Sequence, residues 1–373
     1  YRKDKYGKDL SQLGYGCMRF TKKGNSIDYA KAEKEVMLAI ENGVNYFDTA
    51  WMYHRGDSEG MVGEVLKQYP RESFFLADKM PPSAKTLQEA KEIFATQLER
   101  CGVEYFDFYL FHCLTRKSYP KHKQCNTFEI VQKLKEQGKV KHIAMSFHDT
   151  ADFLDLVLTE QPFMEAVQLQ INYLDYDNPA VQSKACYDIA AKHNKPVIVM
   201  EPVKGGTLVR LPKEAVKVFH EYYSDQEVMP SPASLAIRYV ASLPETEIVL
   251  SGMSNISQLD DNTSYMQDFQ PLTEGERELV ETITAILNRT IKVPCTSCRY
   301  CMEECPIQVN IPEYFGLLNL YAVTGNKTNM YYQRYSMNHA KASECLKCGR
   351  CEQICPQHIP IRQFLEEFAG LYE

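Results

Sequence analysis

Eight of the thirteen cysteines fall in two runs of identical spacing: Cys295, Cys298, Cys301 and Cys305 before Pro306, then Cys345, Cys348, Cys351 and Cys355 before Pro356. C-x2-C-x2-C-x3-C-P is the thiolate spacing of [4Fe-4S] ligation. Two residues between ligands let successive sulfurs turn toward one cubane, while the fourth cysteine of a run crosses to the other cluster. The expected sets are Cys295, Cys298, Cys301 with Cys355, and Cys345, Cys348, Cys351 with Cys305. Tetrahedral zinc also takes C-x2-C pairs, but it has no use for the remaining cysteine of each run. Two [4Fe-4S] clusters are therefore expected.

A second group of chemical residues is spread over the first third of the chain: Asp48 and Tyr53, then Lys79, then His112. Each lies at or just after the end of an apolar run rich in β-formers, which makes convergence plausible if those runs are neighbouring barrel strands. A phenol with a reference pKa of about 10 is a weak acid at neutral pH unless a nearby cation favours its ionised form. Lys79 is placed to be that cation, Asp48 to hold the ammonium, and His112 to orient a substrate oxygen. Taken singly, each has a simpler reading as an ion pair, a packed phenol or a core imidazole.

The elements that must position these residues are legible as alternating segments. Strand candidates are 13–20, 44–50, 74–80, 106–112, 142–148, 166–172, 196–201 and 247–252. Amphipathic helical stretches separate them at 27–41, 58–68, 85–101, 127–138, 150–158, 178–193 and 231–242. Eight βα repeats predict an α/β chain built as a (β/α)8 TIM barrel over residues 1–285. A doubly wound sheet would normally open with G-x-G-x-x-G, and LGYGCMRF lacks the third glycine. Residues 286–373 contain a repeat at an offset of 50, CPIQVNIPEYFGLL against CPQHIPIRQFLEEF, each a proline turn followed by an amphipathic helix. This predicts a small, mainly α-helical, two-cluster ferredoxin-type domain.

Composition narrows the partners. A net charge of −7 and a pI near 5.8, with no basic stripe, speak against nucleic acid or an anionic membrane as ligand. Mean hydropathy is −0.39, no run of 18 apolar residues occurs, and the opening YRKDKYGKDL has no apolar signal core. Five further cysteines (Cys17, Cys101, Cys113, Cys125, Cys186) fit a reducing interior better than a disulfide scaffold. A cytoplasmic protein is expected. The first residue is not Met, so a start that is trimmed or incomplete is expected too.

LGYGCMRF, GVNYFDTAWMYH, LADKM, FYLFHC, AMSFH, AVQLQINYLD and EPVKGG together resemble the aldo-keto reductase superfamily over roughly residues 10–265. The resemblance implies a barrel that binds a nicotinamide cofactor, NADP or NAD, without a Rossmann motif. It implies Tyr53 as general acid, Lys79 and Asp48 as its tuning pair, and His112 as the residue that orients a carbonyl or alcohol substrate. The cofactor contacts it implies are Gly16, Cys17 and Met18 at the reactive end, with Ser146 and Gln168 on the carboxamide. Met200, Gly205, Gly206 and Leu208 would follow the pyrophosphate, and Gly252, Met253, Ser254, Gln258 and Asn262 the adenosine. Ordinary turn and capping chemistry is the plainer reading of the last group.

Three departures or retentions bear on chemistry. Ser254 lacks the basic charge that many members set against a 2'-phosphate, so NADH is a serious candidate. Met200 stands where many members carry an aromatic ring against the nicotinamide. His112 is retained where members that reduce activated C=C bonds resemble this pattern with Glu, which points to carbonyls. A hydride carries two electrons, each cluster passes one, and no flavin fingerprint is present. The clusters are thus candidates for structure, sensing, or exchange with an external carrier such as ferredoxin or flavodoxin. The alternative to a reductase is an electron-transfer or redox-sensing protein whose barrel binds nicotinamide as a sensor or docking subunit.

Overall fold

A computed structural model describes residues 2–3, 9–24, 26–179, 181–327 and 329–373. By internal contacts the chain forms two units, one of residues 1–177, 182–202 and 233–273, the other of 178–181, 203–232 and 274–373.

The first unit is a closed barrel of eight parallel strands. These are β1 (Leu13–Gly16), β2 (Tyr46–Asp48), β3 (Phe75–Met80), β4 (Phe106–Leu114), β5 (Val140–Phe147), β6 (Ala166–Gln170), β7 (Val197–Met200) and β8 (Thr246–Ser251). All eight expected runs form strands, and the ring closes between β8 and β1. The first is shorter than the sequence suggests, because Cys17–Arg19 turns into a 3-10 helix instead of extending the strand to residue 20. The helix expected over 178–193 begins at Ser183, and residue 180 lies outside the described residues.

Strand alternation accounts for the site. Tyr46, Phe75, Ala77, Phe108, Leu110, Ala144, Ala166, Ile198, Ile248 and Leu250 belong to one buried cluster. Stepping two residues further along β2, β3, β4, β5 and β6 reaches Asp48, Lys79, His112, Ser146 and Gln168. Apolar residues thus fill the barrel interior, and the same inward rows end in polar groups at the C-terminal rim. Gly14 occupies a spot where a Cβ would lie 2.8 Å from Leu250 and 2.9 Å from Ile248, so only hydrogen fits there.

The second unit contains both cysteine runs and has its own core, in which Tyr314 stacks on Phe368 with ring centroids 4.7 Å apart. Its repeat is visible in the backbone: Ser297 and Lys347, Arg299 and Gly349, Gln308 and His358 all take left-handed φ values between 51° and 73°. Short helices Tyr300–Glu303 and Arg350–Ile354 follow, then Ile311–Thr324 and Ile361–Tyr372. Helix Glu274–Thr290 groups with this unit through contacts with Lys213–Tyr222, so the compact unit reaches further back than residue 286. Among the described residues no helix is long and apolar enough to cross a membrane.

Helix Asp57–Leu66 packs against helix Leu87–Cys101 where a Cβ on Gly63 would come within 2.6 Å of the Cys101 carbonyl oxygen. Gly63→Ala gains roughly 1 kcal/mol of helix propensity, yet overpacking typically costs about 1–3 kcal/mol. Net destabilisation in a urea titration is expected; a stabilised variant would contradict this packing.

Candidate active site

Asp48, Tyr53, Lys79 and His112 converge. The Lys79 ammonium donates to Asp48 Oδ1 at 2.5 Å, to the Thr49 carbonyl at 2.7 Å and to the Tyr53 hydroxyl at 3.4 Å. The His112 ring meets the Tyr53 ring edge-on, with centroids 5.8 Å apart and planes at 83°. Lys79, Asp48 and His112 are buried.

Local backbone sets these positions. Tyr53 opens a turn in which His54, Arg55 and Gly56 have φ of 52°, 60° and 93°, a conformation held only where surrounding contacts over-determine it. Arg100 provides those contacts: its guanidinium lies over Trp51, packs at Gly56 and donates to Glu59 Oε2 at 2.8 Å. In β4, the pairing with β5 slips between Phe111 and Leu114, and Cys113 has φ 50°. Such an irregularity re-aims side chains at a barrel rim, and His112 sits within it.

Electrostatics depart from the simplest expectation in one respect. Lys79 does pull the Tyr53 phenol down, but burial is the larger influence and the net shift is upward. Burial alone would lower Lys79; Asp48 and Tyr53 outweigh it and hold the ammonium above its ordinary value. His112 is driven well below the usual imidazole range by burial, then by Lys79, His148 and His122, so it is neutral. Its Nδ1 has no hydrogen-bond partner among the described residues. Burial pushes the Cys113 thiol up to about 12, which makes it an inert thiol rather than a nucleophile.

Several residues of this network carry no sequence signal. Behind Lys79, the Asp78 carboxyl is raised by burial and then by Glu59 beside it. Gln97 links Glu59, the Lys79 carbonyl and the Tyr109 hydroxyl. Helical spacing alone marks Gln97 and Glu59 as surface polar residues, and only the helix contact buries them.

The expected cofactor contacts divide between the units. Gln168 Nε2 donates to Asp48 Oδ2 at 2.9 Å, and Ser146 Oγ accepts from the Cys113 amide at 2.9 Å. Cys17 is buried, and its carbonyl accepts from Ser58 Oγ. Met200 ends β7, and Gly16 and Met18 flank the turn after β1. Gln258 accepts from Ser254, and Asn262 donates to Ser251 Oγ, so both make internal bonds around the Asn255-capped helix Ile256–Gln267. Met253 lends its carbonyl to Tyr15, and Gly252 lies under the Arg19 stem. Gly205, Gly206 and Leu208 belong to the second unit.

In that unit Cys295, Cys298, Cys301 and Cys355 line one pocket, the mixed set expected from the spacing. Burial raises the Cys301 thiol first, followed by the charges of Cys298, Cys295 and Cys355. Cys351 is pushed up to about 11 by burial, with Cys345 and Cys305 among its neighbours. Backbone amides face the sulfurs: Ser297 toward Cys295, Val309 toward Cys305, Lys347 toward Cys345, and those of 357, 358 and 359 toward Cys355. Left-handed residues turn these N–H groups inward, an arrangement suited to thiolate rather than thiol.

A parallel barrel with a buried Lys, Asp and Tyr at its C-terminal rim, followed by eight clustered thiols, defines a two-part oxidoreductase. Residues 12–285 match the aldo/keto reductase family and residues 294–359 a 4Fe-4S dicluster domain; the chain belongs to the aldo/keto reductase family. It is 25% identical over 306 residues to the uncharacterised oxidoreductase YqkF of Bacillus subtilis, covering 74% of this chain and 93% of that protein. Over 278 residues it is 24% identical to the 9,11-endoperoxide prostaglandin H2 reductase of Trypanosoma cruzi, covering 74% and 88%. A match at 33% identity to a probable aldo-keto reductase of Glycine max spans 38% of this chain and 42% of that one. The holo form of an aldo-keto reductase from Bacillus halodurans shares the fold with a TM-score of 0.62 at 24% identity, covering 75% and 94%.

Lys79→Met should leave Asp48 buried opposite an uncharged chain and cost about 3–5 kcal/mol. Adding Asp48→Asn should recover a large part of that loss in the same denaturation assay, and strict additivity of the two would contradict a coupled pair.

Proposed function

We propose that the barrel interconverts a small carbonyl compound, aldehyde or ketone, and its alcohol by hydride exchange with NADP or NAD. The observation that supports this most is the Lys79 ammonium bonded to both Asp48 and the Tyr53 hydroxyl. A bound nicotinamide supplies the hydride in the reducing direction and accepts it in the other. Gln168 has its amide N–H on Asp48 and its Oε1 left to accept from a carboxamide, and the Ser146 hydroxyl keeps its proton to donate. Those two polarities complement a nicotinamide carboxamide. A relative from Klebsiella pneumoniae, of the same fold at TM-score 0.60 and 18% identity, is a complex with NADPH. The uncharged Ser254 keeps NADH in contention.

In reduction, Tyr53 gives its proton to the substrate oxygen as negative charge develops there, and Lys79 stabilises the phenolate that remains. Asp48 keeps Lys79 charged and in place. Neutral His112 presents a buried Nδ1 with no hydrogen-bond partner among the described residues, suited to a hydrogen bond with the substrate oxygen. For the second unit we propose two [4Fe-4S] clusters, on Cys295, Cys298, Cys301, Cys355 and on Cys345, Cys348, Cys351, Cys305. We propose the domain division 1–285 and 286–373, which is supported by the family matches at residues 12–285 and 294–359.

Tyr53→Phe should abolish carbonyl turnover while nicotinamide binding, read by fluorescence, is retained; unchanged turnover would sink the assignment. Because Tyr53 is shifted upward, it stays protonated through alkaline pH. The reducing rate should therefore show no loss traceable to Tyr53 below pH of about 10, and a fall centred near 7 that coincides with a phenol titration in ultraviolet difference spectra, itself absent from Tyr53→Phe, would oppose this. Anaerobic protein should carry eight irons and eight sulfides per chain, counted as two cubanes; about half that amount would reduce the proposal to one cluster.

A further inference from the structure

Lys79 and Lys204 are among the largest fully buried side chains of the molecule. The site just described uses the first and leaves the second without a role. Lys204 begins a turn in which three successive residues, Lys204, Gly205 and Gly206, have φ of 47°, 60° and 91°. The turn is fitted against the cysteine run of its own unit. A Cβ on Gly205 would fall 2.2 Å from the carbonyl oxygen of Thr296, the residue after Cys295. From there the Lys204 ammonium reaches Gln357 Oε1 at 3.0 Å. Gln357 lines the pocket of Cys295, Cys298, Cys301 and Cys355, and its backbone amide faces the Cys355 sulfur.

We propose that Lys204 is a positioning residue that tunes the cluster held by this pocket. Its fixed positive charge, set beside the pocket in a dry environment, favours the more negative reduced state and raises the reduction potential. The inference rests on the cluster assignment above. The other cysteine set has a different setting: Cys348 is exposed, and the adjacent Lys347 is exposed as well. A solvated ammonium has little influence. The two clusters are therefore unequal, and the one beside Lys204 takes up the first electron. That step adds one electron from a low-potential one-electron reductant to the iron, with no bond broken and no proton moved.

The test is an EPR-monitored dithionite titration of the anaerobically purified full-length protein, with iron and sulfide counted in every sample. Lys204→Met should lower the reduction constant of one cluster about tenfold, a midpoint shift of about 59 mV for one electron, and leave the other unchanged. Lys204→Arg should restore the wild-type value. Lys204→Gln, which keeps a long polar chain able to reach Gln357 but carries no charge, should move the same midpoint in the same direction and decides the matter if Lys204→Met loses iron. Unmoved midpoints in fully loaded variants, or equal movement of both clusters, would overturn the proposal. A wild-type protein without iron would instead defeat the cluster assignment, and this inference with it.

Discussion

The barrel rim is organised by one buried ion pair, Lys79 against Asp48. Two unit charges withdrawn from water are costly unless geometry and extra hydrogen bonds compensate, and here they do: the ammonium also bonds the Thr49 carbonyl and Tyr53, while Asp48 accepts from Gln168. Everything around the pair serves to keep it so. Arg100 and Glu59 hold the Tyr53 turn from outside, the irregularity in β4 brings His112 to the same rim, and the inward rows of apolar residues deny water from below. Shift β3 by one residue and the row ending in Lys79 would face outward.

The same pair explains why Tyr53 remains a proton donor. Lysine alone would lower the phenol, but burial outweighs it and Asp48 offsets part of the lysine's charge. In the carbonyl reduction proposed above, the substrate oxygen would require a protonated phenol, and the ammonium would become useful as the phenolate formed. Ground-state neutrality and transition-state charge stabilisation are thus compatible in one network.

In the second unit, backbone conformation has the organising role that charge has in the first. Residues with left-handed φ at 297, 299 and 308, and again at 347, 349 and 358, turn amides toward sulfur. Thiolate ligands need hydrogen-bond donors in a poorly solvated pocket, and the backbone supplies them without side chains. Nicotinamide chemistry moves electrons in pairs and iron-sulfur chemistry moves them singly. An inequality between two clusters, set by Lys204, would give the single-electron half a preferred resting place.

The strands, their order of appearance and the four residues at their ends were legible in the sequence because barrel alternation has period two and each polar residue closes an apolar row. The grouping of Cys295, Cys298, Cys301 and Cys355 around one pocket was legible because cysteine spacing is local, and the offset of 50 reappears in the backbone angles of Ser297 and Lys347, Arg299 and Gly349, Gln308 and His358. Local pattern could not show that Gln97, Glu59 and Asp78 form a buried support behind Lys79, since the partners of each lie on other elements. Nor could it show the upward shift of Tyr53, or Lys204 lying against Gln357 across 153 positions of chain. Those depend on burial and on partners distant in sequence. Spacing along the chain determines which chemistry is available; close packing determines the strength and direction of the fields that act on it.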